Sequence, residues 1–253
     1  MAKTLLIVDG DAVRAAHLAR RIAHRAAGFR LYLADSAGAA AAILARRPGI
    51  DLVLAADDLP DGRGADFLAD LRQEPSTAGD LRTILCVAEP SEEPRQALRE
   101  LARADAVIAQ PADVDRVLAA AIASTLRSAL VIDNEVVETR RTRARLERYF
   151  PGLEVRSAEA LDTALVALRE GQPRLILLDI HMPCCDGFAV LARLEADAGW
   201  ARPRVIMLSS TDHEDDLRRV QETAAIEALL PKPLSIPALT DHLLGHRAEA
   251  VPV

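Results

Sequence analysis

Asp179 is the residue of this sequence best placed to do chemistry, because it is a single carboxylate at the end of an aliphatic segment, residues 175–178. Pro173 precedes the segment and Pro183 follows the carboxylate, so the segment has the length and the bounds of a strand buried on both faces. Open α/β sheets place their reactive groups at the carboxyl ends of their strands. Asp179 is therefore expected at a reactive sheet edge.

Four other polar residues stand at the ends of apolar segments in the same half: Asp133, Asn134, Ser209 and Lys232. In a parallel sheet these ends converge on one cleft. Carboxylate and amide oxygens suit Mg²⁺, and a carboxylate held by a metal ion and an ammonium group can attack a phosphoryl group. The hydroxyl and the amine would then hydrogen-bond the phosphoryl oxygens.

Each of these residues alone has an ordinary explanation. An aspartate at a strand end is usually a turn former, Ser209 alone would be an ordinary strand-end serine, and Lys232 alone would be a solvated lysine. The chemical interpretation depends on finding all of them together.

Strands and helices alternate strictly along the whole sequence, which predicts an α/β fold with helices on both faces of parallel sheets. Strands are predicted at 3–8, 29–33, 51–55, 83–88, 106–109, 129–132, 153–156, 174–178, 204–208 and 226–230. Helices are predicted at 12–27, 36–47, 64–72, 92–102, 113–126, 136–150, 158–170, 187–196, 212–224 and 235–244.

The pattern occurs twice, so the sequence is a tandem duplication of one (βα)5 domain. Equivalent residues are 124, 123 and 122 positions apart in the pairs Asp9 and Asp133, Pro60 and Pro183, and Pro111 and Pro233. We predict domains at 1–127 and 128–253, each a doubly wound parallel sheet. The junction at 124–128 has no tether rich in Pro, Gly or Ser, which indicates a fixed packing of the halves.

The second half resembles the receiver domain of two-component response regulators, a flavodoxin-like fold. The motifs that carry the resemblance are Leu-Val-Ile-Asp-Asn-Glu at 130–135, Leu-Leu-Asp-Ile-His-Met-Pro at 177–183, Ile-Met-Leu-Ser at 206–209 and Lys-Pro at 232–233. The resemblance covers this half throughout. It implies that Asp179 accepts a phosphoryl group from a sensor histidine kinase or a histidine phosphotransfer protein.

The resemblance also implies the other roles in the site. Asp133, Asn134 and the backbone carbonyl of His181 would join Asp179 in holding Mg²⁺. Ser209 would be the switch hydroxyl that moves towards the acyl phosphate, and Lys232 the ion-pairing amine.

Two positions depart from the family pattern. Asn134 stands where a second acid is usual, so metal binding is expected to be weaker or more dependent on phosphate. Leu229 stands where the family often has an aromatic rotamer switch, so the reporting surface is expected to move less or differently.

Aligned in the same way, the first half lacks the reactive groups. Its substitutions are Gly10 for the second metal-binding residue, Ala56 for the acceptor, Val87 for the hydroxyl and Gln110 for the lysine. Asp57 is a poor substitute, because a shift of one residue at a strand end turns the side chain to the other face. Together with neighbouring acids it forms either a cation site or, as we favour, a solvated acidic rim. We therefore expect a degenerate receiver kept for binding or scaffolding.

Composition narrows the class of protein further. The net charge of −7 argues against nucleic acid or an anionic membrane as the main partner. No apolar run approaches membrane-spanning length, and the N-terminus has no signal-peptide layout. Three cysteines, two of them adjacent, form no disulfide framework and favour a reducing, cytoplasmic location, and the resemblance to two-component regulators implies a bacterial pathway.

Two further features have alternative explanations. The adjacent Cys184 and Cys185 are either a redox sensor or, as we favour, inert loop cysteines. The helix at 136–150 carries five arginines outside an inner stripe of Val136, Thr139, Leu146 and Phe150. Its outer face is either solvated or a docking surface for an acidic partner, as the first helix of the resembled family is for kinases.

The sequence ends soon after its last helix, so we expect no effector domain and an output through protein contacts. The leading hypothesis is a phosphorylation-controlled adaptor that acts on an unknown downstream protein, with no enzyme activity beyond its own phosphoryl transfer and autodephosphorylation. A phosphate sink that drains a kinase is the second hypothesis, in which His181 and Thr211 govern access of water. A constitutive scaffold is the third. The oligomeric state, monomer or homodimer, stays open.

Overall fold

A computed structural model describes residues 3–26, 28–47, 49–74, 81–88, 99–110, 112–150, 152–183, 185–197, 200–210 and 214–244. The chain divides into two compact units, Met1–Ser124 and Thr125–Val253. The division lies three residues before the boundary that we predict after residue 127. Most of the predicted helix at 92–102, Cys184, Thr211 and the side chain of Cys185 lie outside the described residues.

The first unit follows the predicted alternation of strands and helices. Its strands are β1 (Lys3–Val8), β2 (Phe29–Ala34), β3 (Leu52–Ala56), β4 (Asp58–Leu59), β5 (Gly62–Arg63), β6 (Arg82–Ala88) and β7 (Ala106–Gln110). Its helices are α1 (Ala12–Arg25), α2 (Ala37–Arg46), α3 (Gly64–Leu71) and α4 (Val114–Leu126), whose last turn crosses the division, and residues 99–101 are also helical.

The second unit repeats this order of elements. Its strands are β8 (Ser128–Ile132), β9 (Glu154–Ala158), β10 (Leu175–Asp179), β11 (His181–Met182), β12 (Cys185–Asp186), β13 (Arg204–Ser209) and β14 (Ile226–Pro231). Its helices are α5 (Val136–Tyr149), α6 (Leu161–Gly171), α7 (Gly187–Glu195), α8 (Glu214–Glu222) and α9 (Ile236–Leu243).

Each unit is built on one five-stranded parallel sheet, and the predicted α/β fold is confirmed. The strand order is β2-β1-β3-β6-β7 in the first unit and β9-β8-β10-β13-β14 in the second. Every ladder of both sheets is parallel. The central strands β3 and β10 are buried at every position, as expected for strands that are covered on both faces by helices.

A short hairpin follows the central strand of each unit and ends at a glycine that starts a helix. The hairpins are β4–β5 and β11–β12, and the glycines are Gly64 and Gly187. A Cβ at Gly64 would lie 2.0 Å from the carbonyl oxygen of Ala56, and one at Gly187 would lie 2.2 Å from that of Asp179. Only a residue without a Cβ lets the helix start this close to the strand end.

The arginine-rich helix α5 buries the residues that its spacing predicts, with one exception. Thr139, Leu146 and Phe150 are buried, and all five arginines are exposed. Val136 is 37% exposed, so its assignment to the inner stripe is wrong. It is the first residue of the helix, and Thr142, six residues further along, is buried instead.

None of the helices within the described ranges combines the length and the apolar character required to cross a bilayer.

Candidate functional site

The strand register of the second unit brings the predicted site residues to one edge of the sheet. Asp133 follows the last residue of β8, and Asp179 is the last residue of its neighbour β10. Ser209 ends β13, which pairs with β10 on its other side. Ser209 pairs in turn with Pro231, so that Lys232 leaves β14 at the same level.

The ammonium group of Lys232 bridges the two carboxylates. Its Nζ lies 2.6 Å from Oδ2 of Asp133 and 2.9 Å from Oδ2 of Asp179. Both acids are only 2% exposed, and the backbone N–H of Lys232 donates to the carbonyl of Ser209 at 2.7 Å. The peptide bond to Pro233 is cis. The cluster thus holds two buried carboxylates beside one amine.

Burial and the bridge perturb the ionisation of this cluster. Burial raises the pKa of Asp179, and the charge of Asp133 raises it further, which together outweigh the lowering by Lys232 and by the backbone N–H of His181. Burial alone would lower the pKa of Lys232, but its hydrogen bonds to the two carboxylates raise it above its ordinary value. Lys232 is therefore a cation at neutral pH.

The oxygen atoms around the two carboxylates suit a small hard cation. Oδ1 of Asn134 is buried and accepts no hydrogen bond from the described residues, which is costly for a polar atom unless it has another partner. The N–H of His181 donates to Oδ1 of Asp179 at 3.3 Å, which puts this residue beside the carboxylate. Two carboxylates, an amide oxygen and a backbone carbonyl are the donor types that Mg²⁺ prefers.

Across the described ranges, no group of three or more His, Cys, Asp or Glu side chains is arranged to hold a metal ion. The candidate set of metal ligands therefore depends on the amide oxygen of Asn134 and the backbone carbonyl of His181 as well as on the two carboxylates.

Ser209 and His181 meet at Asp216, a residue that the sequence does not single out. Asp216 lies in the first turn of α8 and is 3% exposed. Its Oδ2 lies 2.7 Å from Nε2 of His181 and accepts a hydrogen bond from Oγ of Ser209 at 3.5 Å. An acid in the first turn of a helix is ordinary, so the sequence carries no signal that separates Asp216 from its neighbours Glu214 and Asp215.

The same register in the first unit puts its substituted positions at the matching strand ends. Ala56 ends β3 and pairs with Cys86, as Asp179 pairs with Leu208. The matches for Ser209 and Lys232 are Val87, which precedes the last residue of β6, and Gln110, which ends β7. Gly10 follows Asp9 directly after β1.

Asp9, the one site acid retained in the first unit, is bound by Arg14. The guanidinium donates from Nε to Oδ2 at 2.6 Å and from Nη2 to Oδ1 at 2.7 Å. Asp57 is tied to the start of α3, because it accepts from the N–H of Ala65 at 3.0 Å and from Nη2 of Arg63 at 2.9 Å. These two acids are thus occupied by side chains and backbone groups of their own unit.

Comparison with known proteins gives the family. The model of the response regulator receiver domain matches residues 129–244. The chain is 31% identical over 87 residues to protein PilH of Pseudomonas aeruginosa, covering 34% of this chain and 70% of PilH. It is 32% identical over 92 residues to the polar-differentiation response regulator DivK of Brucella ovis, covering 36% of this chain and 71% of DivK.

A third relative is much longer than the matched region. The chain is 33% identical over 117 residues to the gliding motility regulatory protein of Myxococcus xanthus, covering 46% of this chain and 15% of that protein. The matched regions cover more than two thirds of PilH and of DivK, and the family model matches the unit whose strand ends carry Asp133, Asp179, Ser209 and Lys232. The chain belongs to the response regulator receiver family of two-component signalling.

Proposed function

We propose that this protein is a phosphorylation-controlled response regulator that accepts a phosphoryl group on Asp179 and signals through protein contacts. The observation that carries the proposal is the Lys232 ammonium, held within 2.9 Å of both Asp133 and Asp179 at the sheet edge. The donor is a phosphohistidine of a sensor kinase or of a histidine phosphotransfer protein. The family assignment of residues 129–244 supports this choice of donor.

In the transfer step, a carboxylate oxygen of Asp179 forms a bond to phosphorus while the bond between phosphorus and the donor imidazole nitrogen breaks. The imidazole keeps the electron pair of that bond and takes a proton from solvent, and Asp179 becomes an acyl phosphate. Lys232 and the hydroxyl of Ser209 stabilise the phosphoryl oxygens as hydrogen-bond donors. Because only the ionised carboxylate is a nucleophile, the raised pKa of Asp179 opposes the reaction at acidic pH.

Asp133, Asp179, the amide oxygen of Asn134 and the backbone carbonyl of His181 are the groups that would hold Mg²⁺. The bound ion supplies positive charge that neutralises the phosphoryl oxygens. The unpartnered Oδ1 of Asn134 supports this assignment. An amide ligand carries no charge, so we expect the metal to bind more weakly than it would to a site with a third carboxylate.

Phosphorylation changes the partners available to Ser209. In the unphosphorylated protein its Oγ donates to Asp216 on α8, and a phosphoryl group on Asp179 offers a stronger, doubly charged acceptor. Withdrawal of Ser209 would loosen the start of α8, and we propose that the surface of α8, β14 and α9 binds the downstream protein. A bias of a few kcal/mol between two existing states is enough to change partner affinity.

We further propose that residues 1–127 form a receiver-like domain that accepts no phosphoryl group, and that residues 128–253 form the phosphorylated domain. The first unit has Gly10, Ala56, Val87 and Gln110 at the strand ends where the second has its reactive groups. This unit is a binding module.

The test is phosphorylation of the full chain by acetyl phosphate with Mg²⁺, read by intact mass. Wild type should gain one phosphoryl group, and Asp179→Ala should gain none. Asp215→Ala, which removes an exposed acid on α8, is the matched control and should behave as wild type. Phosphorylation of Asp179→Ala to the wild-type extent would refute the assignment.

A further inference from the structure

The first unit contains a cavity of about 440 Å³ between α1 and the carboxyl end of its sheet, which we term the α1 cavity. This volume is within the range of small-molecule binding sites, roughly 300–1,000 Å³. Its floor is formed by sheet residues, and its wall and mouth by one face of α1 and the segment after β7. The floor consists of Ile7, Leu54, Ala56 and Cys86.

The cavity lies over two of the four positions at which the first unit has lost its reactive groups, those of Ala56 and Gln110. Ala56 stands at the position of Asp179, and its neighbour across the ladder, Cys86, at that of Leu208. Gln110 also lines the cavity, at the position that Lys232 has in the second unit. Ala56 and Gln110 are shorter than the aspartate and the lysine that the second unit has at these positions, and Cys86 is shorter than Leu208, so this part of the first unit has less side-chain volume.

The interior of the α1 cavity is apolar and carries no free charge. Burial raises the pKa of the Cys86 thiol to about 12, so this group is neutral at physiological pH. The carboxylate of Asp9 accepts two hydrogen bonds from the guanidinium of Arg14. Asp11 caps α1, accepting hydrogen bonds from the backbone N–H groups of Val13 and Arg14.

The mouth, in contrast, carries the guanidinium of Arg21, and Asp11, the exposed acid that also lines the cavity, is hydrogen-bonded to the start of α1. His17 and Arg21 lie one turn apart on α1, line the cavity and are exposed. Over the stretches of chain that the structure describes, Arg21 is in no ion pair. Val13, also at the mouth, is 79% exposed, so an apolar residue lies beside the cation of Arg21.

We propose that the α1 cavity binds a small organic anion, with an aromatic or similarly compact apolar body on the floor and an acidic group at Arg21 and His17. Burial of apolar surface supplies most of the affinity, and the guanidinium of Arg21 at the mouth fixes the orientation of the molecule. This site makes no use of Asp179. Through this site the first unit, which lacks a phospho-acceptor, binds a small molecule of its own.

Two fluorescent probes that differ by one sulfonate test the proposal in the full chain. They are 1-anilinonaphthalene-8-sulfonate and its neutral analogue N-phenyl-1-naphthylamine. Wild type should bind both at one site and the anionic probe more tightly. Cys86→Leu puts into the floor the residue that stands at the equivalent position 208, and should weaken both probes at least about tenfold through overfilling.

Arg21→Gln should weaken the anionic probe about threefold and change the neutral probe by less than about twofold, as expected for a solvent-accessible charge contact. Arg20→Gln is the control on the same helix, and Arg145→Gln is the control at the equivalent position of the second unit. Both should bind the probes as wild type does. Because Arg21 is on an exposed helix surface, this arm does not depend on whether the Cys86 variant folds.

Three results would overturn the proposal. The first is that wild type binds neither probe, and the second is that folded Cys86→Leu, verified by circular dichroism, binds both with wild-type affinity. The third is that Arg21→Gln affects the anionic probe no more than Arg20→Gln does.

Discussion

Arg14 donates two hydrogen bonds to the carboxylate of Asp9, with Nε 2.6 Å from Oδ2 and Nη2 2.7 Å from Oδ1. In the second unit the equivalent acid, Asp133, is bound by Lys232, which is 99 residues further along the chain. The first unit thus takes its cation from the neighbouring helix, five residues away, and has Gln110 at the strand end where the second unit has its lysine. The buried acid is retained, but the positive charge comes from a different element.

Arg14→Met should destabilise the first unit by about 3 kcal/mol, because it leaves the carboxylate of Asp9, 6% exposed, without its ion-pair partner. Denaturant unfolding measures the change. Arg20→Met removes an exposed arginine from the same helix and should cost less than about 0.5 kcal/mol. If the double variant Asp9→Asn with Arg14→Met is no more stable than Arg14→Met alone, the unpaired charge is not the cause.

Lys232→Met should slow phosphorylation of Asp179 by acetyl phosphate at least about 100-fold, because it removes a preorganised cation from the phosphoryl oxygens. The rate is measured by intact mass at saturating Mg²⁺. The sequence contains one other lysine, Lys3, and Lys3→Met should leave the rate within about twofold of wild type. Equal rates for the two variants would contradict the role of Lys232.

Gly187→Ala and Gly64→Ala form a matched pair that separates folding from chemistry. Each added Cβ would lie close to the carbonyl oxygen that ends a central strand, 2.2 Å and 2.0 Å away respectively. Each should destabilise its own unit by about 1–3 kcal/mol. Only Gly187→Ala should reduce phosphorylation, because only that strand ends in Asp179.

The control for this pair is Gly49→Ala, whose Cβ would meet nothing within 4 Å. It should leave both stability and phosphorylation close to wild type. Loss of phosphorylation in Gly64→Ala to the extent seen in Gly187→Ala would show that the two units are coupled in a way that their separate sites do not explain.

Asp216→Ala should tighten the binding of beryllofluoride, a mimic of the phosphoryl group, with Mg²⁺ about twofold to fivefold. In this variant Ser209 does not have to break its hydrogen bond to Asp216 before it contacts the group on Asp179. The affinity is measured by calorimetry. Asp215→Ala changes the adjacent, exposed acid and should have no effect. Weaker beryllofluoride binding by Asp216→Ala would mean that Asp216 holds Ser209 in the active position and does not compete for it.

The stability of the second unit should respond to pH through Asp179. Because its pKa in the folded protein is raised above the ordinary value of 3.8, the ionised carboxylate destabilises the fold at neutral pH. This cost diminishes as the pH falls through the folded-state pKa and is gone near the unfolded value. Asp179→Asn should therefore be more stable than wild type at pH 7.

The advantage of Asp179→Asn should shrink as the pH is lowered towards 4, which thermal unfolding across this range measures. Asp215→Asn, at an exposed position, is the control and should show no such trend. An advantage that grows towards acidic pH would reverse the sign and exclude the raised pKa as the cause.

The sheet edge could be predicted because strand ends are marked in the sequence. Aliphatic runs that stop at Asp133, Asp179 and Ser209 define the carboxyl ends of parallel strands, and the repeat at 122–124 residues gives the same positions in the first half. The carboxyl ends of parallel strands lie at one edge of the sheet, so their proximity can be inferred without knowing how the side chains pack. The fold and the candidate residues both follow from this local information.

The partners of those residues could not be predicted in the same way. The exposure of Arg14 and of Asp216 depends on how each helix packs on its sheet. Arg20 and Asp215 lie on the same helices and have the same residue types, so residue type alone does not identify the partner. Val136 shows the same limit, because helical spacing assigns it to the core while its place at the start of α5 exposes it. The α1 cavity likewise depends on several side-chain volumes at once.

The lysine of the second unit also allows the opening of the phosphorylation site to be followed by chemical labelling. Lys232 is 13% exposed between two carboxylates, and a protonated, buried amine reacts slowly with acylating reagents. Lys3 is the internal reference, since the sequence has no third lysine. The labelling rate of a single residue therefore reports how often the phosphorylation site opens.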